Sequence, residues 1–322
     1  MSELAFIFPG QGSQYRGMGV DIVAEFPVAA EVFAESSDVL GIDMQRLCFE
    51  DPDDELGLTR FTQPALLTHE IACLRAFADL TGGAVEPVLV GGHSLGEYSA
   101  LVAAGAVSFA DALRLVAKRG EFMSEYGTGG MVATTLDVES ARMLADRHYC
   151  GIGGCNLPDQ TVIAGGDADL DALVEDLAEN FAGKRAFRLD TEGAFHTYLM
   201  VEAARHFRAV LDGVEFADSQ CAVLSNYTGS FHEPGSQAVR SRLFFQLFHP
   251  VLWFACLNAA LDKGIDTIVE FGGGIGKSPE PASRRPNLEG IVKKTLKFAG
   301  QEAQYVPAIN VATIRQAADS FR

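Results

Sequence analysis

Pro87-Val88-Leu89-Val90-Gly91-Gly92-His93-Ser94-Leu95-Gly96-Glu97-Tyr98-Ser99 is the stretch on which the reading of this chain turns. Pro87–Gly91 has the uninterrupted apolar character of a strand buried on both faces, and an alanine-rich helical pattern runs from Gly96 to Gly105. Between strand and helix, Gly92–Gly96 spells G-x-S-x-G. A serine flanked by glycines at that junction has the form of a nucleophile elbow, a strained turn that lifts a hydroxyl above the carboxyl end of a strand. A plain tight turn, with Ser94 only capping the helix, is the alternative reading of the same residues.

Outward from this stretch, Leu4–Phe8 reads as a second buried strand, running into the glycine-rich turn Pro9–Gln14. Helical patterns fill residues 20–80, and Ser108 with Asp111 resembles a capping box opening a helix to about Tyr126. Beyond Gly130 the pattern changes. Met131–Leu136, Cys150–Cys155, Gln160–Ala164 and Arg185–Leu189 read as strands, with helices at Val138–His148 and Asp169–Phe181. That β-α-β-β-α-β order is the split βαβ, ferredoxin-like signature. Ala222–Ser225 and Thr267–Phe271 are further strands. The expected fold is therefore α/β: a large domain with a parallel sheet, residues 1–128 and 197–322, interrupted by a ferredoxin-like small domain, residues 129–196.

Composition narrows the function classes. With 48% apolar and 21% charged residues, the 322-residue chain can bury a sizeable core, which excludes intrinsic disorder. Against 43 Asp+Glu there are 25 Lys+Arg, a net charge of −18 that repels nucleic acid and anionic membranes. The six cysteines form no CxxC pair and no zinc-type spacing, so no metal site is expected, and several lie in apolar runs suited to reduced, packed thiols. No basic leader precedes Leu4–Phe8 and no run reaches the ~18 apolar residues of a membrane span, so a cytoplasmic protein is expected. Without coiled-coil or swapped-strand signals, the expectation is a monomer. Two glycine clusters imitate nucleotide loops and fail on register. Phe271 stands where a P-loop ending in Gly276-Lys277-Ser278 needs its first glycine, and Tyr15 stands at the third glycine of a dinucleotide fingerprint.

A serine hydroxyl needs a base. Of seven histidines, His69 and His206 fall within helices, His148 ends one, His93 adjoins the nucleophile and would point away, and His232 sits in a polar loop. His196 follows the small domain's last strand and opens a helical pattern, Thr197–Leu211, where the helix amino terminus would keep an imidazole neutral. It is the best base. Arg119 carries a clue to the substrate. On its helix Arg114, Lys118, Glu121 and Glu125 share one polar arc, whereas Arg119 falls among Leu115, Val116, Phe122 and Met123. A guanidinium there must meet an anion, either a buried Asp or Glu or a substrate carboxylate held bidentately.

Taken together, Pro9–Gln14, Gln63-Pro64-Ala65-Leu66, Gly92–Ser99, Arg119-Gly120, Gly193-Ala194-Phe195-His196 and Asn226 resemble the malonyl-CoA:acyl carrier protein transacylases, in order and spacing from residue 4 to about 276. The resemblance implies an α/β-hydrolase-like core with a ferredoxin-like insert. It implies Ser94 as acyl-accepting nucleophile, His196 as base, Arg119 as partner of the malonyl carboxylate, and the backbone N–H groups of Gln11 and Leu95 as oxyanion hole. Phe195 resembles members that prefer malonyl over branched units. The implied reaction is ping-pong transfer of malonyl from malonyl-CoA to the phosphopantetheine thiol of an acyl carrier protein, with no metal or redox cofactor. Rival readings are a thioester hydrolase sharing Ser94 and His196, and a non-catalytic carrier-docking scaffold. Two features depart from the family pattern. Leu252 replaces a polar residue, so a backbone carbonyl is expected to orient His196. The stretch Lys277–Lys297 is longer than in the simplest fatty-acid-synthesis members and closer to discrete polyketide acyltransferases. It holds six Lys/Arg against Glu280 and Glu289, reading either as an ordinary solvated surface or as a carrier-docking patch.

Overall fold

A computed structural model describes residues 3–321. The chain opens with β1 (Leu4–Phe8), four helices, α1 (Val20–Glu25), α2 (Pro27–Leu40), α3 (Met44–Phe49) and α4 (Thr59–Leu80), then β2 (Leu89–Gly92), α5 (Gly96–Ala103) and α6 (Phe109–Tyr126). A second group follows: β3 (Gly130–Thr134), α7 (Val138–Arg147), β4 (Gly151–Leu157), β5 (Gln160–Gly165), α8 (Asp167–Asn180) and β6 (Ala186–Leu189). The remainder comprises α9 (Val201–Asp212), β7 (Ala222–Ser225), β8 (Ser230–Phe231), α10 (Ser236–Gln246), α11 (Trp253–Asp262), β9 (Thr267–Phe271), α12 (Glu289–Ala299), β10 (Gln304–Ala308) and α13 (Val311–Ser320).

The strands form two sheets. The larger has the order β10-β9-β1-β2-β7-β8, parallel throughout except for β8. β1 is buried along its whole length, and its alternation divides two cores. Leu4, Phe6 and Phe8 face a layer that includes Phe77 and Phe271, whose rings pack edge-on to Phe6 with centroids 6.0 and 4.9 Å away. Ala5 and Ile7 face Leu89, Leu224, Trp253 and Leu257. Strand order reverses about β1, with β2 on one side and β9 on the other, and crevices that bind ligands open at the carboxyl ends of strands around such a reversal. Gln11 and Ser94 lie just beyond the ends of β1 and β2.

The smaller sheet is antiparallel, in the order β4-β5-β3-β6. One face packs on α7 and α8 through Val132, Ile163, Leu144, Leu170 and Leu173. The other turns Met131 and Val162 toward the large sheet's core. β4 is irregular at Ile152/Gly154, and there its backbone joins the segment before α11: Cys155 N–H donates to Val251 O at 2.8 Å and Val251 N–H to Gly153 O at 3.1 Å. This seam closes the cleft between the sheets.

Candidate active site

Between the two sheets lies a cavity of about 490 Å³, lined by Ser94, His196, Arg119, Gln63, Gln11 and Leu95 among others. Ser94 sits in the left-handed region at φ 53°, a conformation that L residues other than glycine adopt at a cost. Its flanking glycines are required sterically. A Cβ on Gly92 would lie 1.9 Å from the Gly96 backbone, and one on Gly96 would lie 2.2 Å from Phe8 O. Only backbone fits between β1 and the start of α5. Asn226, just past β7, holds the elbow: its Oδ1 accepts from Ser94 N–H at 2.6 Å and its Nδ2 donates to Gly92 O at 2.8 Å.

His196 Nε2 lies 2.8 Å from Ser94 Oγ, and Nδ1 lies 2.7 Å from the backbone carbonyl of Gln246. A carbonyl only accepts, so the proton is on Nδ1 and the Nε2 lone pair faces the serine hydroxyl. The backbone acceptor expected from Leu252 is thus present, supplied by the last residue of α10. His196 does not sit at a helix amino terminus, so no helix dipole keeps it neutral. The residue lies at φ 63° before a single 3-10 turn, Tyr198–Met200, and α9 begins only at Val201. Burial first and the Arg119 charge second pull the imidazole down to about 3, while the Gln246 carbonyl pulls it up. It is a neutral imidazole at pH 7 without a helix dipole.

Arg119 is 1% exposed. It reaches the site because α4 and α6 nearly touch: a Cβ on Gly120 would lie 2.7 Å from Thr59 O. Nη1 donates to Gln63 Oε1 at 2.8 Å, and Nη2 to Gln246 Oε1 at 3.0 Å and to Ser94 Oγ at 3.1 Å. Every one of these acceptors is neutral. The alternative of a structural ion pair is therefore overturned, since among the described residues no carboxylate lies within salt-bridge distance of this guanidinium. Its Nη groups reach only amides and a hydroxyl, its Nε has no partner among the described residues, and no carboxylate touches this desolvated cation, which faces a cavity beside Ser94. The backbone N–H groups of Gln11 and Leu95 donate to no acceptor among the described residues, and both residues line the cavity.

The other histidines turn to other partners. His93 turns from Ser94 to Asn156 Oδ1, 2.9 Å away on β4. His69 is buried in α4, where desolvation pulls it down to about 4. His206 stacks on Tyr126 at 4.2 Å, and His148 meets Asp176 at 2.7 Å. His232 does lie in a loop, after β8, but its side chain is 5% exposed and lies 2.7 Å from the buried carboxylate of Glu97.

Gln63, Asn226, Glu97 and Gln246 also belong to the site, and none carries a role legible from its own residue type. The first three stand within motifs already quoted, which was their only signal. Gln246 ends a helix whose sequence marks nothing. Of the basic stretch, Lys277, Arg285, Lys293, Lys294 and Lys297 are exposed, while Arg284 lies over the Tyr15 ring at 4.1 Å. Asn287, Leu288 and Ile291 form part of the cavity wall. Among the described residues no group of three His, Cys, Asp or Glu could hold a metal ion, and no helix is long and apolar enough to cross a membrane.

A family model described as the acyl transferase domain matches residues 5–270. A malonyl CoA-acyl carrier protein transacylase of Bacillus subtilis is 38% identical over 303 residues, covering 91% of this chain and 90% of its own. The crystal structure of such a transacylase from Clostridium perfringens superposes with a TM-score of 0.87 at 32% identity, covering 100% of this chain and 98% of that one. A malonyl-transacylase solved with a holo type II polyketide acyl-carrier protein (PlMCAT with AntF) gives a TM-score of 0.88 at 34% identity, over 99% of this chain and 100% of that one. A serine elbow with an adjoining neutral histidine, on a chain this similar along its length, leaves one assignment: the chain belongs to the acyl transferase domain family, among the malonyl-CoA–acyl carrier protein transacylases.

Proposed function

We propose that this protein moves a malonyl group from malonyl-CoA to the phosphopantetheine thiol of an acyl carrier protein through a malonyl ester on Ser94. The buried guanidinium of Arg119 carries the reading: it lies 3.1 Å from the Ser94 hydroxyl and bonds only neutral groups. An acyl group ending in a carboxylate supplies the missing anion, and a neutral acyl chain does not.

In the first half-reaction the Ser94 Oγ–H proton passes to His196 Nε2 as Oγ bonds to the thioester carbonyl carbon. The carbonyl oxygen becomes an oxyanion, facing the free N–H groups of Gln11 and Leu95. Collapse breaks the C–S bond, and the protonated His196 returns its proton to the departing CoA sulfur. Gln246 O holds the imidazole throughout. The guanidinium turns its Nη2–H hydrogen bond from Ser94 Oγ to the malonyl carboxylate, keeping its protons and holding the ester oriented. The second half-reaction runs in reverse, with the carrier's thiol giving its proton to His196 and its sulfur attacking the ester. Each proton and electron pair is supplied by the dyad and the two thiols, so no metal or redox cofactor takes part. Phe195, 5% exposed on the cavity wall, narrows the space beside the acyl group and favours malonyl over branched units.

In the same reading residues 1–128 and 197–322 are an α/β-hydrolase-like core and residues 129–196 a ferredoxin-like insert. The nucleophile turn after β2 of a parallel sheet supports the first, and the strand order β4-β5-β3-β6 with two helices on one face supports the second. The carrier approaches over α12, whose Lys294 stands one turn beyond the cavity-lining Ile291. The six cysteines are unpaired, which suits a reducing cytoplasm, and the protein acts as a monomer.

The test is incubation with malonyl-CoA, with and without holo carrier protein. Transfer is seen as acceptor-dependent CoA release and a malonyl-carrier product. CoA release indifferent to the acceptor, with no acyl-carrier formed, makes the protein a thioester hydrolase; no CoA release at all leaves a non-catalytic scaffold.

A further inference from the structure

Behind the dyad, out of reach of the cavity, lies a carboxylate whose hydrogen-bond partners in turn hold Ser94, His196 and Arg119. Glu97, in the first turn of α5, is fully buried. Its Oε2 accepts from Gln246 Nε2 at 2.8 Å and from Asn226 N–H at 3.0 Å, and its Oε1 from His232 Nε2 at 2.7 Å. Gln246 spends its second amide hydrogen on Ser94 O at 3.0 Å. With both hydrogens committed, its Oε1 has only one direction left, toward Arg119 Nη2. The backbone carbonyl of the same residue orients His196, and Asn226 holds the Ser94 N–H.

We propose that Glu97 and His232 are positioning residues: the carboxylate, held by the histidine, fixes the Gln246 amide and with it both the base and the carboxylate-binding arginine. Neither side chain lines the cavity, so neither is a catalytic residue. His232 Nδ1 is buried without a partner among the described residues, so the ring's one polar contact is Glu97. Removing that donor frees Glu97 Oε1 and lets the carboxylate rotate away from Gln246. The amide is then free to turn its NH2 toward the guanidinium, which repels it. Arg119 loses its seat and His196 loses a fixed acceptor. A residue that only supported the fold would impair all acyl groups alike, whereas this pair acts on malonyl more than on a neutral acyl group.

The inference rests on the malonyl-transfer reading for its selectivity arm alone; a second arm reads the dyad without malonyl. Three variants are compared with the parent, each scaled to its folded fraction by thermal melt: His232→Ala, His232→Gln, which keeps an N–H donor, and Glu97→Gln, which keeps the volume but offers one acceptor oxygen to three donors. The first arm is the rate at which a fluorophosphonate labels Ser94. The second is kcat/KM for malonyl-CoA over that for acetyl-CoA. His232→Ala and Glu97→Gln are expected to slow labelling about tenfold and to lower the malonyl-to-acetyl ratio about tenfold, with His232→Gln within about threefold of the parent in both. Where the alanine variant does not fold, the two glutamine variants give the same contrast. Labelling at the parental rate in Glu97→Gln and His232→Ala overturns the proposal, as does an equal loss for both acyl groups that His232→Gln fails to rescue. A parent that labels but takes no malonyl refutes the proposed function, and the labelling arm then decides the positioning role alone.

Discussion

Helix α5 serves two buried glutamates that share a degree of burial and little else. Glu97, on the helix itself, has three donors on its two oxygens and lies one amide away from the Arg119 guanidinium. Glu70, on α4, is equally buried but receives only the Ser99 hydroxyl, and its Oε1 has no partner among the described residues. Burial, opposed by Ser99 and reinforced by nearby Glu270, pushes the Glu70 carboxyl well above the usual carboxylate range. Glu270, held by Tyr305 and by the N–H groups of Asn287 and Leu288, is itself pushed by burial up to about 7. One region keeps a buried carboxylate in company with a cation and aims that cation into a cavity. The other meets the cost of burial by holding on to protons. Burial alone does not make a site; chemistry arises where fixed partners point a charge at open space.

The contrast can be broken most severely at Arg119. Arg119→Ala is expected to lower kcat/KM for malonyl-CoA by about 10²–10³-fold, while acetyl-CoA and longer neutral acyl-CoAs improve, measured as initial rates across an acyl-CoA panel. Equal losses toward all of them would make the arginine a structural cation, no different in kind from the Glu70 side.

A pH profile sharpens the same point. With His196 drawn down to about 3 by burial and by Arg119, its neutral form persists far into acid. The kcat/KM for acetyl-CoA should therefore stay flat from about pH 8 to about pH 5, where an ordinary histidine would already have protonated. Removing the second cause, in Arg119→Gln, moves the acid limb upward. A parental limb near the ordinary histidine value would contradict the desolvated dyad.

At the cavity rim, Glu270 fixes the Asn287–Leu288 backbone from which α12 extends. Charge reversal at Lys294 and Lys297 is expected to raise KM for the carrier about three- to tenfold and leave loading from malonyl-CoA unchanged. An unchanged KM makes this stretch a plain solvated surface.

The smallest effect belongs to Glu70. Its folded pKa lies above the unfolded one, so its stabilising contribution is complete below the unfolded value and is lost as pH rises toward the folded one. At pH 7 it costs stability. Glu70→Gln should therefore raise Tm by about 2 °C or more at pH 7, gain nothing near pH 4, and leave transfer rates unaltered. A slowed enzyme would place Glu70 among the working groups.

The same contrast separates what the sequence discloses from what it hides. The elbow is local: Gly92, Ser94 and Gly96 lie within five residues, and the steric need for glycine on either side of the serine leaves a readable pattern. The β-α-β-β-α-β order of residues 130–189 is legible because each element is short and cleanly bounded. Arg119 announces itself by breaking the polar arc of its own helix, but the sequence could not choose between a protein carboxylate and a ligand, because that depends on which acceptors α4 and α10 bring near. Gln63 and Gln246 do so from 56 residues before and 127 residues after Arg119. The partner of His232 is hidden for the same reason: its surroundings in the chain are polar, and only the fold sets Glu97 beside it. His196 is neutral through desolvation and an arginine far away in the chain, tertiary effects that no local helix pattern discloses.

The most direct test of the central claim is intact-protein mass spectrometry of the enzyme after a brief exposure to malonyl-CoA, followed by addition of holo carrier protein. The account predicts one malonyl adduct per chain, absent in Ser94→Ala and discharged onto the carrier when it is added. A parent protein that forms no adduct, or an adduct that persists in Ser94→Ala, would contradict it.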